Sequence, residues 1–280
     1  PIAYLAASDP LTDRFALVME DANAFAEQKI HERELDLDEV MRMLPKLVDV
    51  AVAWEGCHEG DKAVQLAELG VELWASEANL TLYKNVMPGG ARLFDRLTTM
   101  AESNLIGALT WDRYLGGPGI CELFTRKIDA FFRHAKPEHG ATCTLSHGDL
   151  RGDNIFFCDP SSSYPDGWLC IDFQLMFRGP VPSDLAYLMG SGSVLPTVYT
   201  GENRNKVLRS FYDQFMARTQ RYKGYTYDQF EHEYAMMSTV FLVYYVGMAA
   251  PSLQASAFNN ERPARVELGG KGATEAELNP

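Results

Sequence analysis

The chain has 280 residues, 46% hydrophobic, 22% charged and 11% aromatic, with 22 Gly and 14 Pro, which excludes collagen, a coiled coil and wholesale disorder. At this length one large lobe accompanied by a smaller one is expected. Lys and Arg number 25 against 38 acidic residues, a formal charge of -13 whose field repels phosphate backbones and anionic lipid, so neither nucleic acid nor a membrane surface is expected as a partner.

In chain order, the stretch from Pro1 to Ser8 has no basic start followed by an apolar run, so it is no secretory signal, and the non-methionine start points to a segment upstream. Phe15-Ala16-Leu17-Val18-Met19 reads as one buried strand without an evident partner, leaving into the polar Glu20-Asp21-Ala22-Asn23. From Leu37 to Trp54, Val40, Met43, Leu44, Leu47, Val48 and Ala51 recur at helical spacing. Asp36 or Asp38 is placed to cap that helix, and Pro45 is expected to kink or split it. Asp61 to Trp74 predicts a second helix, and Ile120 to Phe132 a third, introduced by Gly-Gly-Pro-Gly at 116–119. Thr142 to Leu145, Ile155 to Cys158 and Trp168 to Ile171 are short strand-like runs. Helices are expected again at Asp184–Met189, Asn203–Tyr222 and Tyr227–Ala250, before a polar tail.

Two further features bound the setting. Cys57, Cys121, Cys143, Cys158 and Cys170 are odd in number and widely spaced with no C-x-x-C pair, so neither a disulfide framework nor a zinc site is written, and a reducing, cytoplasmic compartment is expected. Cys158 and Cys170, on the two strands expected to pair, read as buried free thiols. Asn79-Leu80-Thr81 matches the glycosylation acceptor pattern but has no secretory context. Ala235 to Leu253 is uncharged, yet Ser238, Thr239, two tyrosines and Pro251 interrupt it, which favours a buried helix over a membrane span.

The chemistry is concentrated in Leu145-Ser146-His147-Gly148-Asp149-Leu150-Arg151-Gly152-Asp153-Asn154-Ile155, followed by Ile171-Asp172-Phe173-Gln174. Phosphoryl transfer to a hydroxyl needs a carboxylate to hold and deprotonate the nucleophile, and oxygen ligands for a metal that neutralises nucleotide charge. Asp149 and Asn154 sit five positions apart on one loop, and the strand pairing is expected to bring Asp172 alongside as an anionic Mg²⁺ ligand. Taken singly, the same residues read as turn formers, His147 as a buried structural histidine and Asp172 as a strand-end cap. Asp153 reads as a solvated loop carboxylate, and Asp184 either ties its helix to the loop or caps it.

His147-x-Asp149-x-x-x-x-Asn154, Asp172-Phe173-Gln174, Arg178-Gly179-Pro180 and Asp184-Leu185-Ala186-Tyr187 together resemble the aminoglycoside phosphotransferase family and its ecdysteroid-kinase-like relatives, the small-molecule branch of the protein-kinase-like fold. The resemblance implies an α+β protein with a mostly helical C-terminal lobe, holding a small strand pair, over residues 23–257. Residues 1–22 would be the end of a largely missing N-terminal lobe and its hinge, and 258–280 a mobile tail. It implies ATP and Mg²⁺ as cofactors and a small-molecule hydroxyl as acceptor, with Asp149 as catalytic base, Asn154 and Asp172 on the metal, and His147 orienting the loop. Arg151 would steady transition-state charge, and Met19, Glu20 and Ala22 would line the adenine site, the last two through backbone atoms. No glycine-rich loop or strand lysine precedes Phe15, which motivates a rival reading as a catalytically silent binding module. The late aromatics from Tyr222 to Tyr245 read mainly as core, with some available to an acceptor pocket.

Overall fold

The computed structural model describes residues 3–9, 14–21, 26–28, 34–85, 118–158 and 167–258. The strand over Phe15–Met19 is not an orphan. It belongs to β2 (Arg14–Met19), which pairs antiparallel with β1 (Ala3–Asp9), and the alanine-rich composition of β1 had hidden that partner.

Helix α1 (Leu37–Ala53) starts at a capping box: the Asp36 carboxylate accepts from the Glu39 amide at 2.9 Å, and Glu39 accepts from the Asp36 amide at 3.0 Å. Pro45 does not split it. A proline removes one ladder donor, and the buried face of Val40, Met43, Leu44, Leu47, Val48 and Ala51 holds the element together across that loss. Helix α2 is shorter than the periodicity suggests, Gly60–Glu68, because the chain turns at Gly70 with φ 73° and Leu73 bridges to Arg178 instead. Residues 77–85 are helical, and α3 runs from Pro118 to His134.

The strands that frame the site are short. β4 (Thr144–Ser146) pairs antiparallel with β7 (Phe177–Gly179), matching Leu145 to Arg178. β5 (Ile155–Cys158) lies between β3 (Ala26–Gln28) and β6 (Trp168–Cys170) in an antiparallel sheet of three, so the expected strand pair has a third member. Helices α4 (Ser183–Gly190), α5 (Gly201–Arg218) and α6 (Tyr227–Phe258) follow; α4 packs on α6, and α1 on α5 and β4. Helix α6 continues through Pro251, beyond the expected end at Ala250, and Tyr225, Phe230, Tyr234 and Phe241 enter the main core. Among the described residues, no helix is long and apolar enough to cross a membrane. The tail over 259–280 lies outside the described residues.

Candidate active site

β4 delivers the chain into the loop His147–Arg151, and two groups shape that loop from beneath. The Asp184 carboxylate accepts from the backbone amides of His147 at 2.8 Å and Gly148 at 3.1 Å, so it ties the start of α4 to the loop rather than capping its own helix. Withdrawal from water pushes the Asp184 carboxyl above the ordinary carboxylate range, with the two amides pulling the other way. Gly148 has φ 84°, and a Cβ there would sit 2.0 Å from the Leu175 carbonyl oxygen. Only glycine lets the loop lie this close to the turn that follows Asp172.

His147 ties the same two segments. Its Nδ1 accepts from the Asp149 amide at 3.3 Å, which places the ring proton on Nε2, and Nε2 donates to the Ile171 carbonyl at 2.8 Å. Both ring nitrogens are thereby committed to backbone groups.

Asp149 is buried, and its two carboxylate oxygens have separate partners. Oδ1 accepts a short hydrogen bond from the Tyr187 hydroxyl and lies 3.5 Å from Arg151 Nε; Oδ2 accepts from Asn154 Nδ2 at 3.2 Å. Asn154 Nδ2 also donates to the Asp149 carbonyl at 2.9 Å, so the Asn154 amide is oriented with its Oδ1 turned away from Asp149. Arg151 reaches Asp153 at 3.6 Å as well, giving that carboxylate a partner beyond solvent.

Asp172 arrives next to Asn154 through the backbone, since the Ile171 amide donates to the Asn154 carbonyl at 3.0 Å. It is the one non-glycine residue with positive φ among the described residues, at φ 67° and ψ 61°. That left-handed conformation costs of the order of 1–2 kcal/mol for an ordinary residue, less for Asp, and turns the chain into a 3₁₀ turn over Phe173–Leu175. The side chain is exposed, with Gln174 Nε2 at 3.3 Å. Asn154 and Asp172 thus present two oxygen donors, the hard type that suits Mg²⁺, and such sites complete the shell with phosphate oxygens and water. No group of three His, Cys, Asp or Glu side chains able to hold a metal occurs among the described residues.

The structure therefore brings together His147, Asp149, Arg151, Asn154 and Asp172. Met19 ends β2 opposite Ala3, Glu20 follows it, and Ala22 lies outside the described residues, so the adenine contacts stay an implication of the resemblance. A cavity of about 300 Å³ lined by His134, His139, Tyr225 and His232 shares no residue with this loop. Sequence reasoning placed Tyr187 in a motif but gave it no role at the loop. Its signal was the spacing Asp184-x-x-Tyr187, which on a helix puts both residues on one face, aimed at the same loop.

Comparison with known proteins adds one finding. The model of the ecdysteroid kinase-like family matches residues 4–225, a span that contains the whole assembly from His147 to Asp172. No curated protein matches the chain.

Proposed function

Because this chain belongs to the ecdysteroid kinase-like family, whose model matches most of it, we propose that it is an ATP- and Mg²⁺-dependent phosphotransferase acting on a hydroxyl of a small molecule, built on a protein-kinase-like fold. The observation that carries the reading is a buried carboxylate, Asp149, held by Tyr187 and Asn154, with a second, exposed carboxylate brought alongside on a left-handed turn. In this reading Asp149 accepts the proton of the acceptor hydroxyl and aligns its oxygen for in-line attack. Arg151, half-exposed at 44%, offers positive charge where the transferred phosphoryl group would carry negative charge. Asn154 Oδ1 and the Asp172 carboxylate would hold Mg²⁺, and that ion supplies neutralisation of the nucleotide phosphates. Residues 1–22 would close the nucleotide side and residues 23–257 the acceptor side.

Calorimetric titration of Mg-ATP tests the reading, beside an Asp172→Asn control. Mg²⁺-dependent binding that the control loses is the expected result. A folded chain that binds no nucleotide with or without Mg²⁺ would overturn it and leave the silent module in its place.

A further inference from the structure

Four of the five cysteines fall two by two on neighbouring segments. Cys158 and Cys170 lie on neighbouring strands but out of register, since Cys170 faces Ile155 and Cys158 is three residues further along β5. Cys57 and Cys143 are distant in sequence, yet their sulfurs are 3.9 Å apart and both residues are fully buried. The backbone holds them there: the Gly56 amide donates to the Cys143 carbonyl at 2.8 Å, and the Cys143 amide donates to the Tyr222 hydroxyl at 2.9 Å.

We propose that Cys57 and Cys143 are a reversible dithiol–disulfide pair, oxidised by hydroperoxides, that staples the turn after α1 to the segment entering the catalytic loop.

Three observations support this. The two sulfurs share one hydrogen bond, which either can donate, and that bond together with the Arg178 cation holds the Cys57 thiol below the usual range against the cost of burial. The same contact, with burial, pushes the Cys143 thiol up. Arg178 is itself buried, and its Nε has no hydrogen-bond partner among the described residues, so a cation is held beside the sulfurs without being neutralised through that atom. Finally, the pair lies outside the main core, in a small cluster with Leu66 and Val71. Leu66, the one buried residue of α2, packs in this cluster, so the sulfurs border a helix tied to the fold by a single buried side chain. A disulfide needs the sulfurs to close to about 2.05 Å, an approach of roughly 2 Å from their present separation.

The chemistry balances in two steps. The Cys57 thiolate attacks one peroxide oxygen, the O–O bond breaks, and the departing hydroxide takes a proton to become water, leaving a sulfenic acid. The Cys143 sulfur then attacks the Cys57 sulfur, forming the S–S bond as the sulfenic hydroxyl leaves with the Cys143 proton as a second water. The thiols lose two electrons and the peroxide gains them.

The test uses the unmutated, fully reduced chain, exposed to a small excess of hydrogen peroxide, quenched with N-ethylmaleimide and digested without reductant for mass spectrometry. The expected product is a Cys57–Cys143 cross-linked peptide lighter by two hydrogens, formed with a rise in melting temperature, both reversed by dithiothreitol. In Cys143→Ser the same treatment should leave Cys57 as a sulfenic acid trapped by dimedone. Recovery of both residues as maleimide adducts, or of Cys57 joined to another cysteine, would overturn the proposal. None of these readouts depends on nucleotide chemistry.

Discussion

Asp149 follows β4 and Asp172 follows β6, strands of two separate small sheets, and the two are held by opposite means. Asp149 is buried and held by side chains: Tyr187 and Asn154 donate to it, and Arg151 stands 3.5 Å away. Asp172 is exposed and held by backbone, in a left-handed conformation beside the Asn154 carbonyl. Under the proposed function the difference suits two jobs. A base that must align a hydroxyl benefits from a carboxylate locked before substrate arrives. A ligand for an exchangeable cation benefits from a carboxylate held in position but left open to water, because its charge is to be answered by the ion.

The largest effect is expected at Asp149. Replacement by Asn should lower turnover about 10²- to 10⁴-fold while leaving Mg-ATP binding intact, read by steady-state kinetics beside calorimetry. Loss of nucleotide binding in that variant would erase the division of labour. Gly148→Ala attacks both aspartates at once. Its Cβ would meet the Leu175 carbonyl at 2.0 Å in an unfavourable backbone region, which should cost about 2–5 kcal/mol in urea unfolding. Tyr187→Phe removes one donor from Asp149 alone and should lower kcat about tenfold with the KM for ATP unchanged, since a hydrogen bond to a charged group is worth about 1.5–3 kcal/mol. An equal rise in KM would point to a general loosening of the site instead.

Two smaller effects sharpen the contrast. Glu233 is buried, and it accepts from the amide and hydroxyl of Thr142, just ahead of β4, and from the Tyr225 hydroxyl. Burial raises its carboxyl above the reference 4.5, so between that value and its raised one the folded chain keeps a proton that the unfolded chain has lost. Stability therefore falls as pH rises through that window and is level above it. Glu233→Gln should flatten this slope in thermal melts recorded from pH 4.5 upward, leaving the part due to Asp184, which acts in the same direction. Asp172→Gly should leave stability unchanged or raise it by up to about 1 kcal/mol, by relieving the left-handed backbone, while abolishing Mg²⁺-dependent nucleotide binding. A destabilised Asp172→Gly would show that the side chain itself supports the turn, rather than being held there by the backbone.

The candidate loop was legible because its pattern is local: His147, Asp149 and Asn154 fall within eight positions, and the flanking apolar runs mark strands. Tyr187 was not, because its partner lies 38 residues away and tyrosine in an apolar helix reads as core. For the same reason the neighbouring strands pointed to Cys158 and Cys170, whereas the sulfurs that meet are Cys57 and Cys143, 86 residues apart on separate elements. The end of α2 illustrates a different limit. Apolar residues continue at helical spacing past Gly70, but a bridge from Leu73 to Arg178 competes for that stretch, and periodicity carries no information about a distant competitor.

The pairing that frames the loop also bears on how the chain reaches this state. β4 meets β7 some thirty residues later, and the Thr144 hydroxyl donates at 2.9 Å to the Ala51 carbonyl, 93 residues earlier. Such contacts form only after long chain segments have been closed into loops, whereas α1 and α5 can begin from local contacts alone. The helices are thus the early structure and the loop bearing Asp149 a late one, completed when α1 and β7 have both docked against β4.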